Sequence, residues 1–242
     1  MNFKRLMIGS LIGAATLASS PAAFAGFSGN VGATSKYIFR GIAQNGDAAV
    51  QGGIDYASDT GLYAGTWVST IGFGGAGDGS SEVDLYGGWS GDMGGIGLDV
   101  GALYYYYPEE DEVDAELGTL EFYAGLSFGP LALTYYYSDE NNFFIGDGNG
   151  EEAGYLSLGL SLPVSETLSF DAGLGVYSGD EIERFLTSIG STDDSYTDIT
   201  IGLSAALDGG YSATFQYIMT DIDAGSDDDP KFVVGLAKGF DL

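Results

Sequence analysis

From about residue 29 onward the chain repeats one pattern: runs of roughly ten residues in which apolar and polar side chains alternate. A period of two puts the apolar set on one face of a β-strand and the polar set on the other. Over 96–104, Ile96, Leu98, Val100, Ala102 and Tyr104 share a face and Asp99 lies on the opposite one. In the same way Leu120, Phe122, Ala124 and Leu126 oppose Glu121 and Tyr123, and Leu168, Phe170, Ala172 and Leu174 oppose Asp171 and Gly173. Such runs fall near 29–42, 48–58, 60–73, 81–91, 94–107, 117–128, 130–138, 153–162, 166–178, 195–207, 211–220 and 230–240, about twelve in all. A soluble sandwich of two sheets would alternate similarly, so the period alone leaves two architectures open.

The connections decide between them. Short ones at Asp59-Thr60, Asp92-Met93, Gly129-Pro130, Pro163-Val164-Ser165 and Asp208-Gly209-Gly210 carry the residues of tight hairpins. They alternate strictly with longer ones at 43–47, 74–80, 108–116, 139–152, 179–194 and 221–229. Five tight turns at one end and six long loops at the other suit an outer-membrane barrel, with turns in the periplasm and loops outside. The opening residues agree with that address: Lys4 and Arg5 precede an apolar run near Leu6 to Leu17, and Ala23-Phe24-Ala25 forms a small-residue cleavage site. No later stretch reaches the ~20 apolar residues of a membrane helix. The expected fold is therefore all-β: a closed antiparallel transmembrane β-barrel of about twelve strands over 26–242, behind a cleavable signal peptide over 1–25. The expected location is the bacterial outer membrane.

Aromatic positions add a second line. Tyr37, Phe39, Phe73, Tyr104, Tyr106, Tyr135, Tyr137 and Tyr217, assigned outward, lie toward the long-loop ends of their runs. Tyr63, Trp89, Phe128, Phe170, Tyr211 and Phe240 lie toward the short-turn ends. Two girdles of this kind mark the two interfaces of a membrane.

Composition removes several functions. Once the leader is cleaved, five bases face 35 acids, a net charge of about −30, which argues against nucleic acid as a partner. The chain has no Cys, so stability must come from backbone pairing, and no His, the usual general base and commonest metal ligand. Outer-membrane hydrolases of similar size use His in catalysis, so an enzyme is not expected, nor a cofactor or metal centre.

Of the 35 acids, 23 fall in the six long loops, densest at Glu109-Glu110-Asp111-Glu112 and Asp227-Asp228-Asp229, and a solvated acidic rim is expected there, open to loose Ca²⁺ or Mg²⁺ association. Asp147-Gly148-Asn149-Gly150-Glu151 and Asp221-Ile222-Asp223 begin like calcium loops, but their twelfth positions are Leu158 and Phe232 instead of Glu. Gly72-Phe73-Gly74-Gly75-Ala76-Gly77 matches a dinucleotide fingerprint in letters only, since Asp78-Gly79-Ser80-Ser81 does not open a helix. Strand parity sends a different set inward: Lys36 and Arg40 from the first strand, with Asp55, Glu82, Asp84, Asp99, Glu121, Asp171 and Asp198. Two bases among seven acids can hold strands in register as salt bridges, or form a charged constriction that filters solutes, and the two roles are compatible.

The segment Gly29-Asn30-Val31-Gly32-Ala33-Thr34-Ser35-Lys36-Tyr37-Ile38-Phe39-Arg40-Gly41-Ile42 resembles the opening strand of the TorF-type porin family. Further matches follow at Gln51-Gly52-Gly53, Gly61-Leu62-Tyr63-Ala64-Gly65-Thr66-Trp67, Glu82-Val83-Asp84-Leu85-Tyr86-Gly87-Gly88 and Tyr105-Tyr106-Tyr107-Pro108. The resemblance is most specific over 29–108; it implies an outer-membrane, porin-like protein and carries no catalytic residues. The expected function is a passive channel for small hydrophilic solutes, narrow at about twelve strands and cation-preferring if its lumen is open. The alternative is a non-conducting structural barrel whose acidic loops meet ions, lipopolysaccharide or partners. Lipid and lipopolysaccharide are the expected surroundings.

Overall fold

The computed structural model describes residues 25–72, 80–108, 116–142, 145, 147–223 and 229–242. The expected leader, except Ala25, lies outside these residues, as do Phe73, most of the glycine-rich loop after it, the run Glu109 to Glu112, and Asp227 and Asp228.

Fourteen strands follow one another among the described residues: β1 (Gly26–Thr34), β2 (Ile38–Phe39), β3 (Ile42–Ala43), β4 (Ala49–Ala57), β5 (Leu62–Ile71), β6 (Ser80–Met93), β7 (Ile96–Tyr106), β8 (Thr119–Phe128), β9 (Leu131–Asn141), β10 (Glu151–Pro163), β11 (Leu168–Ser178), β12 (Ser195–Ala206), β13 (Tyr211–Thr220) and β14 (Lys231–Asp241). Twelve of them close a barrel. From β4 to β14 each strand pairs antiparallel with the next, and β1 closes the wall between β14 and β4. β2 and β3 pair only with each other.

The burial pattern is the reverse of a soluble protein's. Leu158, Val100, Phe122 and Leu236 are 42–54% exposed on the outer face, while Glu82, Asp84 and Glu121 are at most 1% exposed inside. Such an apolar exterior suits hydrocarbon, and the closed ladder leaves no unpaired strand edge in it. The expected parity holds in β7, where Leu103 and Tyr105 are buried between exposed Val100, Tyr104 and Tyr106, and in β8, where Glu121 and Tyr123 are buried between exposed Leu120 and Phe122.

The tight turns sit at one end. Two shift: β10 runs through Pro163, which pairs with Ser169, and β6 extends through Met93, where the turn is Gly94-Gly95 instead of Asp92-Met93 because two successive residues at positive φ (69° and 93°) need glycine. Exposed Tyr104, Tyr106, Tyr135 and Tyr137 mark the long-loop end, and exposed Trp89, Phe128, Tyr211 and Phe240 the short-turn end. Three aromatics assigned outward lie inside instead. Tyr37 and Phe39 are 3% and 2% exposed, and the Tyr63 hydroxyl donates to Asp99 within the lumen.

Candidate functional site

The run 29–42, expected as one strand, is two elements. β1 ends at Thr34, where the Thr34 hydroxyl donates to the Lys36 carbonyl at 3.0 Å. From there the chain leaves the wall and enters the lumen as the β2–β3 hairpin. The amide of Gln44 donates to the Tyr37 carbonyl at 2.8 Å and that of Tyr37 to Asn45 Oδ1 at 3.0 Å, closing its base. All residues from Tyr37 through Ile42 are buried, whereas a wall strand would expose every second one. The tip is Arg40-Gly41, both at positive φ (45° and 84°), as a two-residue primed turn requires. A Cβ on Gly41 would fall 2.3 Å from Thr220 Cγ2, so the wall accepts only glycine there. A readable signal was present in the sequence: Ile38-Phe39 and Ile42-Ala43 flank Arg40-Gly41 as apolar pairs around a turn.

Arg40 is therefore not on a wall strand beside Lys36. Its two terminal nitrogens bond Glu121 Oε1 and Oε2 at 2.7 Å each, a bidentate pair whose side chains are 5% and 2% exposed. Its guanidinium carbon lies 4.4 to 5.0 Å from the ring centres of Phe39, Tyr136, Tyr155 and Tyr177. These tyrosines belong to a row. Tyr123, Tyr136, Tyr155, Tyr177 and Tyr196, one from each of β8 to β12, are directly opposite one another in register, with ring centres 5.4 to 6.2 Å apart. Tyr196 donates to the Arg40 carbonyl at 3.0 Å. A single inward tyrosine in five consecutive strands is legible from the strand parity, but its alignment into one belt depends on register.

The expected lumen acids all lie inside, and most are held by hydroxyls. Glu121 also accepts from Tyr105 at 2.9 Å. Glu82 accepts from Tyr37 and Tyr107 at 2.6 and 2.7 Å, Asp198 from Tyr155 at 2.8 Å, and Asp171 from Ser161 and Ser204 at 2.7 Å each. Asp55 accepts from Tyr86. Asp84 differs: it is fully buried and neither carboxylate oxygen has a hydrogen-bond partner among the described residues. Of the two expected bases, only Arg40 reaches an acid; Lys36 is half-buried and forms no ion pair among the described residues. A further base, Lys231, was not foreseen inside: it is 7% exposed at the start of β14, and its ammonium donates to the Asp229 carbonyl at 3.3 Å.

The loop 179–194, expected as part of a solvated acidic rim, contains a helix, α1 (Asp180–Ser188). Acids at Asp180, Glu181 and Glu183 suit its N-terminal turn, and Ile182 and Leu186 recur at helical spacing. Those two apolar residues, at most 1% exposed, pack with Ile42, Tyr155, Tyr177 and Tyr196, so the helix seals the hairpin from the long-loop side. Glu181 is fully buried; burial raises its carboxyl above the usual range, opposed by Arg184, which donates to it at 2.7 Å. Arg184 also bonds Asp147 at 2.8 Å, tying the helix to the neighbouring loop. Toward the short-turn end, Asp55, Tyr63, Tyr86 and Asp99 remain only partly buried. The lumen is thus filled at the hairpin level and looser below it.

Known folds match this architecture. The NanC porin has a TM-score of 0.59 at 12% identity, over 89% of this chain and 100% of that one. The KdgM porin gives 0.57 at 8%, over 88% and 99%. The COG4313 outer membrane channel from Pseudomonas putida F1 gives 0.53 at 13%, over 90% and 96%. No curated protein matches the chain. Residues 16–235 match the model of a family described as "Bacterial protein of unknown function (Gcw_chp)", and the chain belongs to that family.

Proposed function

We propose that this protein is exported by cleavage of residues 1–25 and forms an outer-membrane channel for small hydrophilic solutes, closed in the present state at the β2–β3 hairpin and cation-preferring when open. The observation that carries it is the hairpin itself. A short loop would suffice to join β1 to β4, since Thr34 and Ala49 are already paired in register. Instead the chain sends its connection inward and fastens the tip by a bidentate Arg40–Glu121 pair. A removable cross-piece over a polar lumen is the arrangement of a gate.

The solute charge follows from the wall. Seven inward carboxylates outnumber the inward bases Arg40 and Lys231, and Arg40 spends its charge on one of them. Displacing the hairpin exposes a lumen that favours cations. One protein of similar fold, the KdgM porin, is described in complex with disordered oligogalacturonate. The acidic lumen here supports cationic solutes for this chain. The TorF-type resemblance over 29–108 supports the porin-like reading and adds no solute. The same filled lumen favours the second reading, a barrel that never conducts.

Replacing residues 36–47 by an Asn-Gly turn separates the two. Refolded into a planar bilayer, this variant should conduct steadily with a cation-selective reversal potential in a salt gradient, while the intact protein shows small or rare openings. A folded hairpin-less barrel without conductance would exclude the channel, and an anion-selective reversal potential would exclude the cation preference.

A further inference from the structure

We propose that the tyrosine belt closed by Glu121 is a binding site for small organic cations carrying a guanidinium or alkylammonium group, and that Arg40 occupies it as a built-in competitor. The proposal rests on the channel reading for its consequence, entry of such cations through the lumen, but not for binding itself.

The receptor half of the site belongs to the wall. Glu121 is on β8, Tyr136 on β9, Tyr155 on β10 and Tyr177 on β11, all on paired strands, and only Phe39 comes from the hairpin. Glu121 is oriented independently of Arg40 through Tyr105, and Tyr155 is anchored through Asp198. A Cβ at position 175 would lie 2.0 Å from the Tyr155 hydroxyl and 2.2 Å from Asp198 Oδ2, so Gly175 keeps open the space in which this anchor forms. The three wall rings and the carboxylate would therefore persist with the hairpin withdrawn. What remains is a carboxylate set among aromatic faces in the opened lumen, an arrangement that favours a cation beside it. Aromatic faces at 4.4 to 5.0 Å and a fork-shaped acceptor fit a planar guanidinium best and an alkylammonium next.

The present occupant is poorly suited to permanence. Arg40 holds φ at 45°, a conformation costly for a residue with a side chain. The acids concentrated along the long-loop segments of the sequence raise the local concentration of any competing cation.

The test uses Arg40→Ala refolded in detergent, with methylguanidinium as probe and N-methylurea and NaCl at equal concentration and ionic strength as controls. Thermal unfolding and tyrosine emission are the readouts, independent of conductance. Methylguanidinium should raise the unfolding temperature saturably at millimolar concentration, methylurea should not, and Glu121→Gln in the same background should abolish the effect. Wild type should need distinctly more probe, because the hairpin must first leave. If Arg40→Ala does not fold, the barrel with residues 36–47 replaced by Asn-Gly supports the same titration. No saturable shift, or one matched by NaCl or retained without Glu121, overturns the proposal. A shift in the variants with none in wild type at any concentration also overturns it, since Arg40 would then be a fixed anchor. Absence of conductance in the hairpin-less barrel would remove the channel reading and leave this binding measurement standing.

Discussion

Two carboxylates two strands apart show how position decides the effect of a buried charge. Glu121 has a guanidinium and a hydroxyl on it; Asp84 has neither. Removing one member of a buried ion pair leaves the other uncompensated, so Glu121→Gln should lower barrel stability by about 3–5 kcal/mol. Asp84→Asn removes a carboxyl that has no hydrogen-bond partner among the described residues and should leave stability unchanged or raise it, by at most roughly 1–3 kcal/mol. Urea unfolding in lipid vesicles, followed by tyrosine emission, measures both, and a stabilising Glu121→Gln or a destabilising Asp84→Asn would contradict this account of the lumen.

Among the elements, β10 offers a test of which face meets lipid. Leu158 is 42% exposed on the outer wall, while its neighbour Ser157 turns inward opposite Gly175 and Thr134. Arginine at Leu158 should cost about 2–4 kcal/mol near the middle of the membrane, and arginine at Ser157, facing the acidic lumen, distinctly less. Equal costs in the same vesicle assay would mean the faces are misassigned. The helix α1 makes a separate point. Ile182 and Leu186 dock on the tyrosine belt, and Leu186→Ala should weaken that docking by about 2–5 kcal/mol. Trypsin cleavage after Arg184 in folded protein should then be faster than in wild type. Unchanged cleavage would mean that the helix is held by Arg184 and its acids instead.

For the whole molecule, stability resides in ring closure. Every wall strand has two partners, including β1 with β14 at the seam, so opening requires a long stretch of ladder to break at once. Unboiled protein should therefore migrate faster on a denaturing gel than boiled protein, as a compact species. Loss of that difference on folded samples would contradict a closed barrel. The belt of tyrosines and the hairpin fill the long-loop half, so the hairpin-less variant should keep the gel shift while losing some thermal stability.

The barrel was legible because its information is local. Which face a residue takes is set by the two-residue period, and a strand's end is set by turn chemistry within a few positions, as at Gly129 with Pro130. Glu82, Asp84, Glu121, Asp171 and Asp198 could be placed inside from their own strands for that reason. The site was not legible in the same way. Tyr37 and Phe39 alternate well enough to extend β1, and only the pairing of Gln44 with Tyr37 and the fit of Gly41 against Thr220 turn them inward. Arg40 meets Glu121 across 81 positions of sequence, a contact that no local period encodes. The sequence by itself determined a closed wall with an acidic interior; the tertiary structure decided what fills it, because a loop's destination depends on the surface it finds there.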